Sequence, residues 1–139
     1  MFRQAQDLMR DNQWARAHDL MGKLCKLDAD NEQYTLYLRW TALRANVLDE
    51  DGMVKLRGVL RDKLTDDDLG KFAYYALGHL ALAEKKEDSA EKLFRKALEL
   101  DKTNKDAERQ LRIMELRRKS ARENANNKIF GIEIGKKKG

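Results

Sequence analysis

The sequence predicts an all-α fold. Proline is absent from the 139 residues, and charged residues make up 38% of them. Leu, Ala, Lys, Glu and Arg are frequent, and this composition favours helices throughout. Small and apolar side chains also recur at helical spacing along most of the chain. The length corresponds to one domain that can bury a core of its own.

The strongest helical pattern lies in residues 74–104 and contains two helices. In the first, Leu77, Gly78 and Ala81 share one face, and Gly78 removes a Cβ where a neighbouring helix must approach closely. In the second, one face carries Ala90, Phe94, Ala97 and Leu98. Small residues beside one large aromatic predict two antiparallel helices that pack with few voids.

These residues resemble the tetratricopeptide repeat, whose pattern runs Leu-Gly, then Ala-x3-Phe, then an apolar and acidic close. The close of that family usually contains proline, and Lys102 stands there in this chain. The resemblance implies a right-handed array of antiparallel helices that serves as a non-enzymatic protein–protein interaction scaffold or adaptor. We assign one repeat to about residues 71–104.

A second copy of this repeat pattern, here called the template, fits about residues 1–31. Its positions are Asn12, Gln13 and Trp14 at the turn, Ala17 at the small position, Met21 in the place of Phe94, and Leu24 and Cys25 in the places of Ala97 and Leu98. The first helix begins at Met1, already inside the template. Because the ends of repeat arrays normally carry a polar covering element, we expect a fragment of a longer protein or a missing N-terminal cap.

A degenerate copy occupies about residues 32–66. Its second helix contains Gly52 and Gly58, each of which costs roughly 1 kcal/mol relative to alanine. The acidic run that follows is interpreted as a capping loop for the next helix. A metal site at Asp66, Asp67 and Asp68 is the weaker alternative, because consecutive residues do not converge and the alternate spacing of a calcium loop is missing.

The sequence predicts a capping helix at residues 105–122, which brings the total to about seven helices, and a tail at residues 123–139. The region from residue 105 onward holds 11 basic and 5 acidic residues, a balance of +6, which leaves −1 for residues 1–104 out of a total of +5. The basic character therefore belongs to the last quarter of the chain. A short array followed by a basic helix and such a tail is also similar to the C-terminal part of larger bacterial cytosolic proteins, some carrying J-like chaperone domains.

In the tetratricopeptide family the first helices of successive repeats line a concave groove that binds peptides or helices. The resemblance assigns to this groove Phe2, Gln6, Arg10, Leu36, Trp40, Arg44, Phe72, Tyr75 and His79. Trp40, flanked by Tyr37 and Arg44, fits an interaction hot spot. The alternative is that Trp40 fills space between neighbouring repeats. The ring of Lys, Asn and Arg by which some members hold chaperone tails is missing.

The tail and the basic helix are two further candidate sites. The tail carries an apolar run with strand-like alternation, with Ile129, Phe130, Ile132 and Ile134 expected to dock. It could dock into the groove of its own or a neighbouring copy, which would give a homo-oligomer, or onto another protein; the alternative is a disordered end. The basic patch comprises Arg112, Arg117, Arg118, Lys119 and Arg122, with Lys136, Lys137 and Lys138 beyond it. Nucleic acid and anionic membrane rank below a protein partner, since base-stacking aromatics are not interleaved with these charges.

The sequence offers no catalytic motif. His18 and His79 have no Cys or acidic neighbours at ligand spacing, and a glycine-rich phosphate loop and a nucleophile elbow are both missing. We therefore expect no enzymatic activity, no cofactor and no metal. The chain lacks a signal-peptide pattern and a membrane-spanning run, and its lone Cys25 suits a reduced, buried thiol, so a cytoplasmic location is expected.

Overall fold

A computed structural model describes the backbone of residues 1–138 and the side chains of residues 1–128. This part of the chain contains seven α-helices and no strand, which confirms the all-α prediction. They are α1 (Phe2–Arg10), α2 (Trp14–Leu27), α3 (Glu32–Arg44), α4 (Glu50–Asp62), α5 (Gly70–Ala83), α6 (Glu87–Leu100) and α7 (Lys105–Lys138). The chain divides into two compact units, Met1–Leu77 (unit 1) and Gly78–Gly139 (unit 2), and the boundary falls within α5.

Side-chain caps explain where several helices begin. The Asn31 side chain accepts a hydrogen bond from the Tyr34 amide at 3.1 Å and starts α3. Asp49 starts α4 in the same way by accepting from the Gly52 amide at 2.7 Å. A side-chain oxygen that satisfies an otherwise unpaired amide of the first turn is the usual reason for such residues at these positions. The glycines of α4 thus do not prevent the predicted helix.

The acidic run before α5 forms a hydrogen-bonded turn. The Asp66 carboxylate accepts from the amides of Asp68 at 2.9 Å and Leu69 at 2.8 Å. These two hydrogen bonds hold the pKa of Asp66 below its ordinary value, because they stabilise the charged form. The carboxylate therefore orders the chain that leads into α5.

The core of unit 1 includes the small and apolar residues of its helices. Ala5 and Met21 are completely buried, and Leu24 joins them in one cluster. A buried polar contact accompanies this core: the Thr41 hydroxyl donates to the Tyr37 carbonyl oxygen at 2.8 Å, and His18 Nδ1 lies 3.2 Å from the same hydroxyl oxygen. His18 thereby links α2 to α3.

Close packing of Gly78 against Phe94 characterises unit 2. A Cβ added at Gly78 would lie 2.8 Å from the Phe94 ring, closer than side chains can approach. Ala90, Phe94 and Ala97 are fully buried along α6, as the sequence pattern requires. The prediction of a small residue at this crossing is confirmed.

The last helix is longer than the sequence predicts. The expected end is residue 122, whereas α7 continues through Lys138. Proline is absent from the sequence, and the first glycine of α7 is Gly131, so no strong breaker stops the helix at the expected point. The strand-like alternation at residues 129–134 was misleading, since the backbone there is helical. The docking side chains proposed for this run, Ile129, Phe130, Ile132 and Ile134, lie outside the described side chains.

Candidate interaction site in unit 1

Seven aromatic rings in unit 1 contact one another in an uninterrupted series, here called the aromatic cluster. The members are Phe2 from α1, Trp14 from α2, Tyr34, Tyr37 and Trp40 from α3, and Phe72 and Tyr75 from α5. Neighbouring ring centroids are 4.7–6.4 Å apart. Contacts in this range contribute about 0.5–1.5 kcal/mol each beyond the area they bury. The cluster therefore ties four helices together.

Trp40 lies at the centre of the aromatic cluster. Its ring makes edge contacts with Trp14, Phe72 and Tyr75 at centroid distances of 6.4, 5.7 and 6.2 Å. Only 2% of its surface is exposed, and Leu36 is 1% exposed. Trp40 and Leu36 are thus buried in this structure, which favours the alternative that Trp40 fills space between helices, and a contact of either residue with a partner stays a prediction. The repeat pattern predicts which face of a helix a residue occupies. It does not predict whether aromatic side chains from other helices will cover that residue.

The other rings of the cluster are half-buried. This group comprises Phe2, Trp14, Tyr34, Tyr37, Phe72 and Tyr75. Each is held by ring contacts on one side and keeps some surface exposed. Burial raises the pKa of the Tyr37 phenol, an effect that a hydrogen bond with Gln33 partly offsets. Tyr37 is consequently a neutral donor and acceptor at physiological pH.

Arg44 completes the cluster at the end of α3. The centre of its guanidinium lies 4.9 Å from the centroid of the Trp14 ring and 5.6 Å from that of Trp40. Both distances fall within the range of cation–π attraction. The guanidinium is therefore held at a fixed place beside the half-buried rings.

The remaining groove residues that the sequence predicts do not join the cluster. Gln6 and Arg10 are exposed on α1, and Arg10 lies 3.3 Å from the carboxylate of Asp7. His79 belongs to unit 2, where its Nε2 lies 2.8 Å from the Asp106 carboxylate and its ring packs against Phe94 at 5.2 Å. Since the His79 side chain is only 10% exposed, its main role in this structure is to attach α5 to α7.

Sequence reasoning missed Trp14 and Tyr34 as members of the site. A signal for Tyr34 was present, because residues 34, 37, 40 and 44 recur at three and four positions and so form one stripe on α3. Trp14 carried no comparable signal. The sequence predicts a turn at Trp14, and only the folded chain brings the start of α2 to the end of α3.

A second candidate, here called the basic cleft, lies between α6 and α7 in unit 2. It has a volume of about 770 Å³ and is lined by Glu91, Arg95, Leu111, Glu115, Arg118, Lys119 and Arg122. The Glu91 side chain, 15% exposed, pairs with Arg95 at 2.5 Å and also with Arg118. Of the predicted basic patch, Arg118, Lys119 and Arg122 thus line the cleft, whereas Arg112 pairs with Glu108 at 3.4 Å and Arg117 is exposed elsewhere on α7.

Residues 1–128 are poorly suited to metal binding and to thiol chemistry. No group of three or more His, Cys, Asp or Glu side chains in this range could hold a metal ion. Cys25 is half-buried, and its burial raises the pKa of the thiol, which favours the protonated and unreactive form.

None of the described helices is long and apolar enough to cross a membrane.

Comparison with known proteins identifies one part of the chain. Residues 71–104 match the family model of the tetratricopeptide repeat, and this match covers nearly all of α5 and the whole of α6. No curated protein matches the chain. The repeat predicted at residues 71–104 is therefore confirmed, while those at about residues 1–31 and 32–66 remain predictions.

Proposed function

Because residues 71–104 form a tetratricopeptide repeat, we propose that this chain is a protein–protein interaction scaffold whose aromatic cluster binds an apolar or amphipathic segment of another protein. The observation that carries this proposal is the series of half-buried rings in unit 1. Aromatic residues are enriched among the side chains that dominate binding energy at protein interfaces.

Two properties suit this cluster to binding. Its rings are held in place by one another and by the buried Trp40, so a partner need not pay for ordering loose side chains. Its tyrosines also offer a hydroxyl group beside an apolar ring, which allows hydrogen bonds at the rim of an apolar contact. A segment with a few apolar side chains and a polar opposite face fits these features.

A selection from randomised peptides displayed on phage, with the full chain as bait, provides a test that needs no known partner. The chain contains only two tryptophans, Trp14 and Trp40, and both belong to the cluster. Intrinsic fluorescence therefore reports on this site alone and gives the affinity of each selected peptide. We expect Tyr75→Ala to weaken binding by about 2 kcal/mol, or roughly thirtyfold, because Tyr75 is a half-buried ring of the cluster.

Val54→Ala is the matched control. Val54 is an apolar side chain of unit 1 that is 66% exposed on α4, a helix that contributes no ring to the cluster. We expect this variant to bind the selected peptides as the unmodified chain does. If Tyr75→Ala retains full affinity while both variants keep their helicity, the aromatic cluster is not the binding surface.

Self-association through the tail is a finer part of the proposal, and it rests on the apolar run at residues 129–134 alone. Solution mass measured by light scattering at several concentrations tests it on the full chain and on a chain that ends at Asn126. We expect the full chain to form larger species and the shortened chain to be monomeric. Two monomeric samples would remove self-association from the proposal.

Binding of nucleic acid or an anionic membrane by α7 is the second candidate function. The basic cleft favours it, since four cationic and two anionic side chains line the cleft. The pairing of Glu91 with both Arg95 and Arg118 weakens it, because these cations are already partly neutralised. If α7 binds nucleic acid or an anionic membrane, the affinity should fall steeply as the salt concentration rises, and binding should require Arg117 and Arg118. An affinity that does not change with salt would count against this function.

A further inference from the structure

The guanidinium of Arg44 is fixed in place by stacking alone. It lies over the Trp14 and Trp40 rings, yet it forms no hydrogen bond or ion pair with any side chain of residues 1–128. Stacking occupies the faces of the planar guanidinium, so the five N–H donors at its edge remain available for hydrogen bonds. A half-buried cation that keeps these donors is suited to a carboxylate from outside unit 1.

The helices that carry the cluster are basic. Across α1, α2, α3 and residues 70–77 of α5 there are eight basic residues and three acidic ones, a balance of +5. Two of the acidic residues are paired: Asp7 lies 3.3 Å from Arg10, and Glu32 lies 2.7 Å from Lys63. The third, Asp19, is exposed on α2, and no ion pair joins it to Arg44 among the described side chains. The charge of these helices therefore favours an acidic segment as the partner.

From this arrangement we propose that Arg44 selects an acidic side chain in the bound segment, so that the partner is an apolar segment carrying an aspartate or glutamate beside its apolar side chains. This inference rests on the proposed function of the aromatic cluster and adds to it the chemistry of the partner. Its basis is charge complementarity: an apolar surface edged by one fixed, unpaired guanidinium discriminates against neutral and basic segments.

The test compares two substitutions, one in the peptide and one in the chain. Peptides selected on the full chain are synthesised with amidated C-termini, so that only side-chain carboxylates remain. Each is then measured in its original form and with every Asp and Glu replaced by Asn and Gln. We expect the replacement to weaken binding to the unmodified chain about tenfold or more, as the loss of a charge-assisted hydrogen bond does, and to change binding to Arg44→Gln by less than about threefold.

Arg39→Gln is the matched control for charge. Arg39 stands on the same helix, carries the same charge and makes no ring contact or ion pair among the described side chains. We expect this variant to discriminate between acidic and neutral peptides as the unmodified chain does. If Arg39→Gln abolishes discrimination to the same degree as Arg44→Gln, the net charge of unit 1 is responsible and the inference about Arg44 fails.

The remaining outcomes separate this inference from the proposal on which it rests. Equal affinity of the unmodified chain for acidic and neutral peptides overturns the role of Arg44 and leaves an apolar binding surface. Failure of every selected peptide to bind, with the chain shown to be folded by circular dichroism, overturns both. Arg44→Lys guards against a purely structural effect, because it keeps the charge without the planar fork; we expect it to retain part of the preference for acidic peptides.

Discussion

Units 1 and 2 use large aromatic side chains in different ways. In unit 2 the Phe94 ring packs against the bare backbone of Gly78, and it is fully buried. In unit 1 rings pack against rings, and only Trp40 among them is buried. The stretch that contains Gly78 and Phe94 matches the tetratricopeptide repeat, whereas unit 1 matches only over its last residues. The packing of Gly78 against Phe94 thus lies in the stretch that matches the family, and we propose that a function specific to this chain resides in the half-buried rings of unit 1.

Truncating Trp40 and Phe94, the two aromatics that are buried among the described side chains, should produce the largest effects. We expect Trp40→Ala and Phe94→Ala each to lower the free energy of unfolding by about 3–5 kcal/mol, because each leaves a large cavity. Hydrogen exchange should show where the damage lies: faster exchange in unit 1 for Trp40→Ala and in unit 2 for Phe94→Ala. A normally stable Trp40→Ala chain that had lost only peptide binding would return Trp40 to the binding surface.

A pair of glycine substitutions sharpens the same comparison. A Cβ at Gly78 would meet the Phe94 ring, so Gly78→Ala should lower the free energy of unfolding by about 1–3 kcal/mol. Nothing lies within 4 Å of a Cβ added at Gly58 in α4. Gly58→Ala should therefore raise the free energy of unfolding by about 0.5–1 kcal/mol, as expected for removing a glycine from a helix interior. Denaturant titration measures both; equal changes in the two variants would mean that Gly78 packs no more tightly than Gly58.

The smallest expected effect concerns the turn before α5. Since its hydrogen bonds lower the pKa of Asp66 in the folded chain, Asp66 contributes stability at neutral pH that is lost as pH falls through that lowered pKa. The loss should begin near the unfolded value of about 3.9 and continue below it. Asp66→Ala should remove this part of the acid dependence, as measured by thermal unfolding at a series of pH values. An unchanged acid profile would show that the turn does not depend on the ionised carboxylate.

The sequence was sufficient for the helices and for the packing of unit 2, because Gly78, Ala90 and Phe94 each have a local reason for their position. It was insufficient for the end of α7, where no residue type forces the helix to stop. The sequence also could not decide whether Trp40 is buried or faces a partner, since its burial depends on three rings from two other helices. The stacking of Arg44 on Trp14 could not be predicted for the same reason, because the two residues are distant in sequence and meet only in the folded unit.

We propose that partners bind at the aromatic cluster of unit 1. Nuclear magnetic resonance of the full chain with a selected peptide tests this proposal, because Trp14 and Trp40 give the only two indole N–H signals and both lie in the cluster. We predict that both indole signals shift on binding, together with backbone amides of α1, the start of α2, α3 and the first half of α5. Unchanged indole signals, with shifts confined to the residues that line the basic cleft between α6 and α7, would show that partners do not bind at the aromatic cluster.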